Sequence, residues 1–175
     1  IYPFRLEGTA SLIAARQIPP EVPSLLSRYF KALADEDLAR IYELISSAVE
    51  QNTEPLRAYI AAWTALEMFI NKTFSFYEGE WFKEAIKNRG TIERRHLERI
   101  REVMKGKYSL EDRFGVVSMM LDEPEADKSY DLFKAIKKER DELIHHGFGN
   151  RKDFMTGHIL ALLRNLLKKH LDRDS

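Results

Sequence analysis

The sequence predicts an all-α fold, an antiparallel helical bundle, and three observations support this class. After residue 20, apolar residues recur at spacings of three and four, which place them on one face of a helix. No segment there alternates between apolar and polar residues as a half-buried strand does. No internal repeat, low-complexity tract or flexible linker interrupts the pattern. Short connections between amphipathic helices favour a bundle.

The domain organisation follows from the same pattern. Residues 1–20 are less regular and end in Pro19-Pro20, so we expect an N-terminal arm or the remnant of an upstream segment. Residues 21–175 are expected to form a single helical domain, because the 175-residue chain is long enough for one domain with a core.

Three apolar stripes predict the first helices. A short helix is indicated by Val22, Leu25, Leu26, Tyr29, Phe30 and Leu33. A second, with Asp35 as its candidate cap, is indicated by Leu38, Ile41, Tyr42, Ile45, Ala48 and Val49. Thr53-Glu54-Pro55 begins a long third helix, whose stripe is Leu56, Tyr59, Ile60, Trp63, Leu66, Ile70, Phe74 and Tyr77. Gly79 and Gly90 bracket a segment of one or two helical turns.

Cap signals delimit the remaining helices. Thr91 begins one helix and Gly106 ends it. Ser109 with Asp112 resembles a capping box at the start of the next. The following helices are predicted to run from about Ala126 to His145 or His146 and from about Lys152 to Leu171, on either side of a turn at 147–150.

Composition excludes several classes of protein. Hydrophobic residues make up 44% of the chain and charged residues 32%, as in soluble globular proteins. The net charge of zero argues against a strongly basic protein that binds duplex DNA. Without cysteine there is no disulfide, thiol nucleophile or thiolate metal site. Since the sequence contains neither a membrane-length apolar run nor the layout of a secretory signal, we expect a cytoplasmic protein that does not enter the membrane.

Charge is unevenly distributed along the chain. Residues 83–107 carry nine Lys and Arg against four Glu, whereas residues 122–131 carry five acids against one Lys. One interpretation is that these are solvated helix faces. The other is that the basic segment forms a rim that attracts a polyanion.

Two charged residues interrupt apolar stripes and are candidate site residues. Arg140 lies four residues after Ile136 and four before Ile144, and Glu67 lies four after Trp63. Both are expected to point towards the bundle interior, where a charge needs a partner. They either pair with each other as a structural salt bridge, or Glu67 orients Arg140 or a histidine beside a cleft.

Histidines at a helix end supply a second candidate feature. His145 and His146 precede Gly147, and a histidine there interacts favourably with the helix dipole. An imidazole near neutral pH can also accept a proton from a ribose hydroxyl or donate one to a leaving oxygen. An arginine nearby can bind the phosphate by two parallel hydrogen bonds. Arg140 and His145 together therefore suggest a phosphate site beside a proton acceptor.

Signatures of other chemistries are missing from the sequence. His96, His158 and His170 show no ligand-like spacing, and no carboxylate cluster resembles a metal site. No glycine-rich phosphate loop and no nucleophile elbow is present. We therefore expect neither a metal nor a cofactor.

These residues resemble the HEPN superfamily, small all-helical domains whose signature is an arginine, a polar residue and, a few positions later, a histidine. Arg140, Asp141 and His145 match with four intervening residues, and His146 would match with five. Residues 63–67 and 109–114 also resemble HEPN sequences, particularly the Apea-like group, so the resemblance covers roughly residues 53–170. It implies a four-helix core, here with extra N-terminal helices.

The resemblance also implies an activity. Many HEPN domains are metal-independent endoribonucleases in toxin–antitoxin, phage-defence or RNA-processing systems, and they typically act as homodimers in which two motifs face one cleft. An antitoxin or a nucleotidyltransferase is a typical partner. Carried over, Arg140 would bind the scissile phosphate of RNA, and Asp141 would orient the site. His145 would be the general base or acid, with Glu67 in support.

Two points stay open at the level of sequence. The usual His-Gly ending is here His145-His146-Gly147, so either imidazole could line the cleft. Other HEPN members are inactive and serve as dimerisation or nucleotide-binding modules, which is the alternative function. A plain helical scaffold with a buried Arg140–Glu67 pair is a third.

Overall fold

The computed structural model describes residues 36–50, 54–146 and 153–173. Within these ranges the chain forms helices and no strand, which confirms the all-α class. The helices are α1 (Glu36–Glu50), α2 (Pro55–Ile86), α3 (Thr91–Met104), α4 (Leu110–Leu121), α5 (Ala126–His146) and α6 (Thr156–Arg173), with a 3₁₀ turn at Glu123–Glu125. The predictions for residues 1–20, the stripe at 22–33, the caps Asp35 and Thr53, and the turn at 147–150 lie outside the described residues.

Helix α2 is the centre of the bundle and packs against α1, α4 and α6. The Tyr59 hydroxyl donates a hydrogen bond to the Ile136 carbonyl over 3.2 Å, and the ring of Trp63 stacks on Phe133. Because residue numbers rise in opposite directions across these contacts, α5 runs antiparallel to α2. Tyr59 also contacts Phe154, and the Tyr77 hydroxyl lies 2.6 Å from His170 Nδ1, so α6 runs parallel to α2.

The core is aromatic where α2, α4 and α5 meet. Phe114 and Phe133 stack with ring centroids 4.1 Å apart, and Trp63 covers the other side of Phe133. Aliphatic side chains from α5 and α6 complete the interior: Ile136, Ile159, Leu163 and Leu166. Burial of each such side chain stabilises the fold by about 1.5–3 kcal/mol, so the packing of these residues holds the helices together.

Several helix ends confirm the predicted caps. Pro55 occupies the first turn of α2, and α3 begins at Thr91. Gly106, just after α3, has a φ of 77°, a conformation that glycine adopts without strain. Ser109 Oγ accepts the Asp112 N–H, and the Asp112 carboxylate accepts the Ser109 N–H. This reciprocal capping box also holds the pKa of Asp112 below its usual value, because Ser109 donates to the ionised carboxylate.

The predicted interruption at Gly79 is wrong, since α2 continues through it to Ile86. A glycine costs a helix only about 1 kcal/mol relative to alanine. The buried neighbours Glu78 and Phe82 hold this part of the helix against the rest of the protein. Tertiary packing therefore overrides the local signal.

The last helix begins at Thr156, later than the predicted Lys152. The cause is Glu139, which is buried and accepts the Met155 backbone N–H over 3.0 Å. Phe154, whose backbone is not helical, packs its ring against Tyr59. A carboxylate from another helix thus satisfies a donor at this helix start.

Candidate functional site

The candidate site lies in the last two turns of α5. The expectation that Arg140 points into the bundle interior is wrong: its side chain is 39% exposed. The stripe of Phe133, Ile136 and Leu143 passes between positions 139 and 140, which flank it on opposite sides. Glu139 is the one that is buried, at 5% exposure. Arg140 instead lies at the edge of the bundle, where solvent and solutes reach it.

Two neighbours hold the guanidinium of Arg140 in place. Its Nη1 donates to Asp141 Oδ1 over 2.9 Å, and its Cζ lies 5.8 Å from the centroid of the Trp63 ring. A cation over an indole face is attracted by the ring quadrupole. The guanidinium has five N–H donors, so its contact with Asp141 leaves others to bind a ligand.

Asp141 is held as an anion. The hydrogen bond from Arg140 is the main cause of its lowered pKa, and Lys137 Nζ, 3.3 Å from Asp141 Oδ2, adds to the effect. A carboxylate that stays ionised can keep the arginine oriented across the physiological pH range.

Glu67 has a different partner from the predicted one. Its Oε2 accepts a hydrogen bond from Trp63 Nε1 over 3.0 Å. Within residues 54–146 no ion pair joins Glu67 to Arg140, so the buried Arg140–Glu67 salt bridge of the scaffold hypothesis is not formed. Glu67 instead fixes the indole on which Arg140 rests.

Arg140 and His145 open into different grooves of one chain. The Arg140 groove, between α2 and α5, has a volume of about 550 Å³ and is lined by Leu56, Tyr59, Ile60, Trp63, Thr64, Glu67, Arg140, Leu143 and Ile144. The His145 groove, of about 530 Å³, lies on the other side of α5 and is lined by Glu111, Lys134, Ala135, Lys137, Lys138, Asp141, Glu142 and His145. Asp141 connects them, since it binds Arg140 and lines the His145 groove.

His145 is exposed near the C-terminal end of α5, while the side chain of His146 lies outside the described part of the structure.

Sequence reasoning missed Trp63 and the lysines of the His145 groove as site residues. Lys137, Asp141 and His145 are spaced by four, which places them on one face of a helix, and this spacing could have indicated them. Trp63 gives no comparable signal in the sequence, because an aromatic residue in an apolar helical stripe is usually a core residue.

The described part of the chain contains neither a cluster of metal-ligand side chains nor a helix that could span a membrane. Across residues 36–50, 54–146 and 153–173, His, Asp and Glu side chains do not gather into a group of three or more that could hold a metal ion. None of the helices described is both long and apolar enough to cross a bilayer. Comparisons of the chain with protein-family models, with curated proteins and with solved structures find no match.

Proposed function

We propose that the protein is a metal-independent endoribonuclease of the HEPN type, of the kind found in toxin–antitoxin and phage-defence systems. The observation that carries the proposal is the state of Arg140, which Asp141 and Trp63 hold in place while its side chain stays 39% exposed. A cation fixed at the surface with unused donors is suited to bind a phosphate diester. His145 follows within two helical turns and is exposed as well.

The proposed reaction needs one base, one acid and one anion-binding group. The neutral His145 imidazole accepts the proton of a ribose 2′-hydroxyl, and the 2′-oxygen attacks the adjacent phosphorus. The bond from phosphorus to the 5′-oxygen breaks, and an imidazolium donates a proton to that leaving oxygen. Arg140 binds the non-bridging oxygens, on which charge builds up. The products are a 2′,3′-cyclic phosphate and a 5′-hydroxyl end.

A homodimer is part of the proposal, because one chain places Arg140 and His145 in separate grooves. A second α5 packed beside the first would bring further copies of both residues to one strand of RNA. Ile60 and Ile144, 50% and 60% exposed, lie at the Arg140 groove and favour this face as the contact. Exposed aliphatic side chains on two adjacent helices are typical of interfaces.

Ile144→Glu is expected to produce a monomer that no longer cleaves RNA. The substitution places a charge in the proposed contact, yet it changes the unfolding free energy of the monomer by less than about 0.5 kcal/mol, because the side chain is exposed. Light scattering during gel filtration measures the mass. The matched control is Val103→Glu on α3, which is 49% exposed and away from this groove. If the Ile144→Glu variant is still a dimer and still cleaves RNA, the contact between protomers does not involve this face.

The test of the activity is incubation of the purified protein with single-stranded RNA in EDTA. We expect cleavage that leaves 2′,3′-cyclic phosphate and 5′-hydroxyl ends, and no cleavage of an oligonucleotide whose 2′-hydroxyls are methylated, because the attacking group is then blocked. Products with 5′-phosphate ends, or intact RNA, would contradict the proposed chemistry.

A non-catalytic dimerisation or nucleotide-binding module is the second candidate. The separation of Arg140 and His145 into two grooves favours it, since a binding module does not need both on one phosphate. Such a module would bind RNA or a nucleotide and leave RNA intact in every buffer.

A further inference from the structure

Helix α3 is attached to the bundle mainly by charge. It has no buried residue, and among the described helices it contacts chiefly α2. Arg101 binds the Glu78 carboxylate, with Nη2 2.7 Å and Nε 3.2 Å from Oε2, and its guanidinium lies over the Phe82 ring. A helix held in this way leaves open space between itself, α2 and the start of α4.

That space is a pocket of about 550 Å³, here called the α3 pocket, within the size range of ligand sites, roughly 300–1,000 Å³. Phe74 and Tyr108 form an aromatic wall, with ring centroids 4.9 Å apart in an edge-to-face arrangement. Asn71, Lys105 and Arg113 supply polar groups.

The positive charges in the α3 pocket exceed the negative ones. Glu78 neutralises Arg101, so Glu102 is the remaining carboxylate beside two cations, Lys105 and Arg113. Neither of these cations contacts a carboxylate in the described parts of the chain. The local charge favours an anionic ligand.

Arg113 is incompletely satisfied. Its Nη1 donates to Asn71 Oδ1 over 2.8 Å, and its guanidinium lies 5.6 Å from the Phe74 ring centroid. Its Nε is buried and has no hydrogen-bond partner among the residues that the structure describes. A guanidinium cannot lose its charge, and leaving it half-satisfied at a part-buried position is costly. An anion in the pocket would supply the missing countercharge.

We propose that the α3 pocket binds one nucleotide of an RNA strand, with the phosphate on Arg113 and Lys105 and the base against Phe74 and Tyr108. The assignment rests on the proposed function and deepens it by placing a substrate-binding site apart from α5. Base stacking on aromatic side chains combined with cations for the phosphate is a general way to bind single strands. Glu111 of α4, two residues before Arg113, lines the His145 groove, so α4 lies between the two sites.

The test measures the affinity for a 2′-O-methyl oligonucleotide, which the proposed chemistry cannot cleave. Lys105→Gln is expected to raise Kd about tenfold, which corresponds to one lost charge-assisted contact. The slope of log K against log salt should fall by about 0.7, the value for one phosphate contact on a single strand. Lys105 is exposed, so the variant should fold normally.

The matched control is Arg95→Gln, an equal change of charge at an exposed position of α3 outside the pocket, expected to alter Kd by less than about twofold. Arg113→Lys is a second variant that keeps the charge but loses the planar fork, with circular dichroism as the check on its folding. Equal Kd values for the wild-type and Lys105→Gln proteins, or equal losses in the Arg95 and Lys105 variants, would overturn the assignment.

Two further outcomes separate this inference from the nuclease proposal. If the protein cleaves RNA but the Kd of Lys105→Gln is unchanged, the pocket assignment fails alone. If binding depends on Lys105 while unmodified RNA stays intact in EDTA, the nuclease proposal fails and the pocket assignment stands. Titration of inorganic phosphate distinguishes a free-anion site: saturation by phosphate without any binding of the oligonucleotide would overturn RNA as the ligand.

Discussion

Arg140→Ala and His145→Ala are each expected to lower the single-turnover rate of RNA cleavage in EDTA by about 10²–10⁴-fold. The first removes the cation proposed to bind the phosphate, and the second removes the proposed proton acceptor. Arg140→Lys should recover only part of the rate, because a lysine cannot bind two phosphate oxygens in a planar fork. The control is Arg164→Ala, an exposed arginine of α6 that lines neither the Arg140 groove nor the His145 groove. Full activity in both alanine variants would exclude this site.

The same variants report whether Arg140 has a structural role. Its bond to Asp141 is partly exposed, so its removal should cost no more than about 1 kcal/mol of unfolding free energy. A buried pair would instead cost about 3–5 kcal/mol when one partner is removed. A thermal or urea transition close to that of the wild type therefore supports a role in binding and chemistry, and a large loss supports a structural one.

Phe133→Ala is expected to lower the unfolding free energy by about 3–5 kcal/mol. The side chain is fully buried between Phe114 and Trp63, and its removal leaves a cavity that two rings cannot fill without moving. Urea denaturation followed by circular dichroism measures the change.

The control for Phe133 is Phe76→Ala, whose ring is 49% exposed and which should cost about 1 kcal/mol or less. Trp63 supports Arg140, so the Phe133 variant should also lose cleavage under conditions where it remains folded. A loss below about 1 kcal/mol at Phe133 would mean that this aromatic stack does not hold α5 against α2 and α4.

Local chemistry explains the parts of the fold that sequence predicts well. The capping box of Ser109 and Asp112, the proline at the start of α2 and the span of α5 each depend on residues within one or two turns. The errors at Gly79 and Lys152 have the opposite origin. At both places the helix boundary depends on side chains that are distant in sequence. Arg101 lies beside Gly79, and Glu139 binds the Met155 N–H, and neither contact can be read from the local sequence.

At the candidate site, too, some features follow from the local sequence and others depend on residues distant in sequence. The helix period places a stripe between positions 139 and 140 but does not decide which of the two is buried. That depends on the neighbours: the segment before α6 covers Glu139, whereas Trp63 leaves one face of Arg140 open. The sequence suggested that Arg140 and His145 form one site, but five residues at about 100° each place them on different sides of α5, and within one chain they line two grooves.

The most direct test of whether Arg140 and His145 act on one phosphate is the cleavage rate of the double variant Arg140→Ala/His145→Ala beside both single variants. Residues that serve the same transition state are strongly non-additive. We therefore expect the double variant to lose little more than the worse single variant. Losses that multiply would show that the two residues act independently and would contradict a shared site.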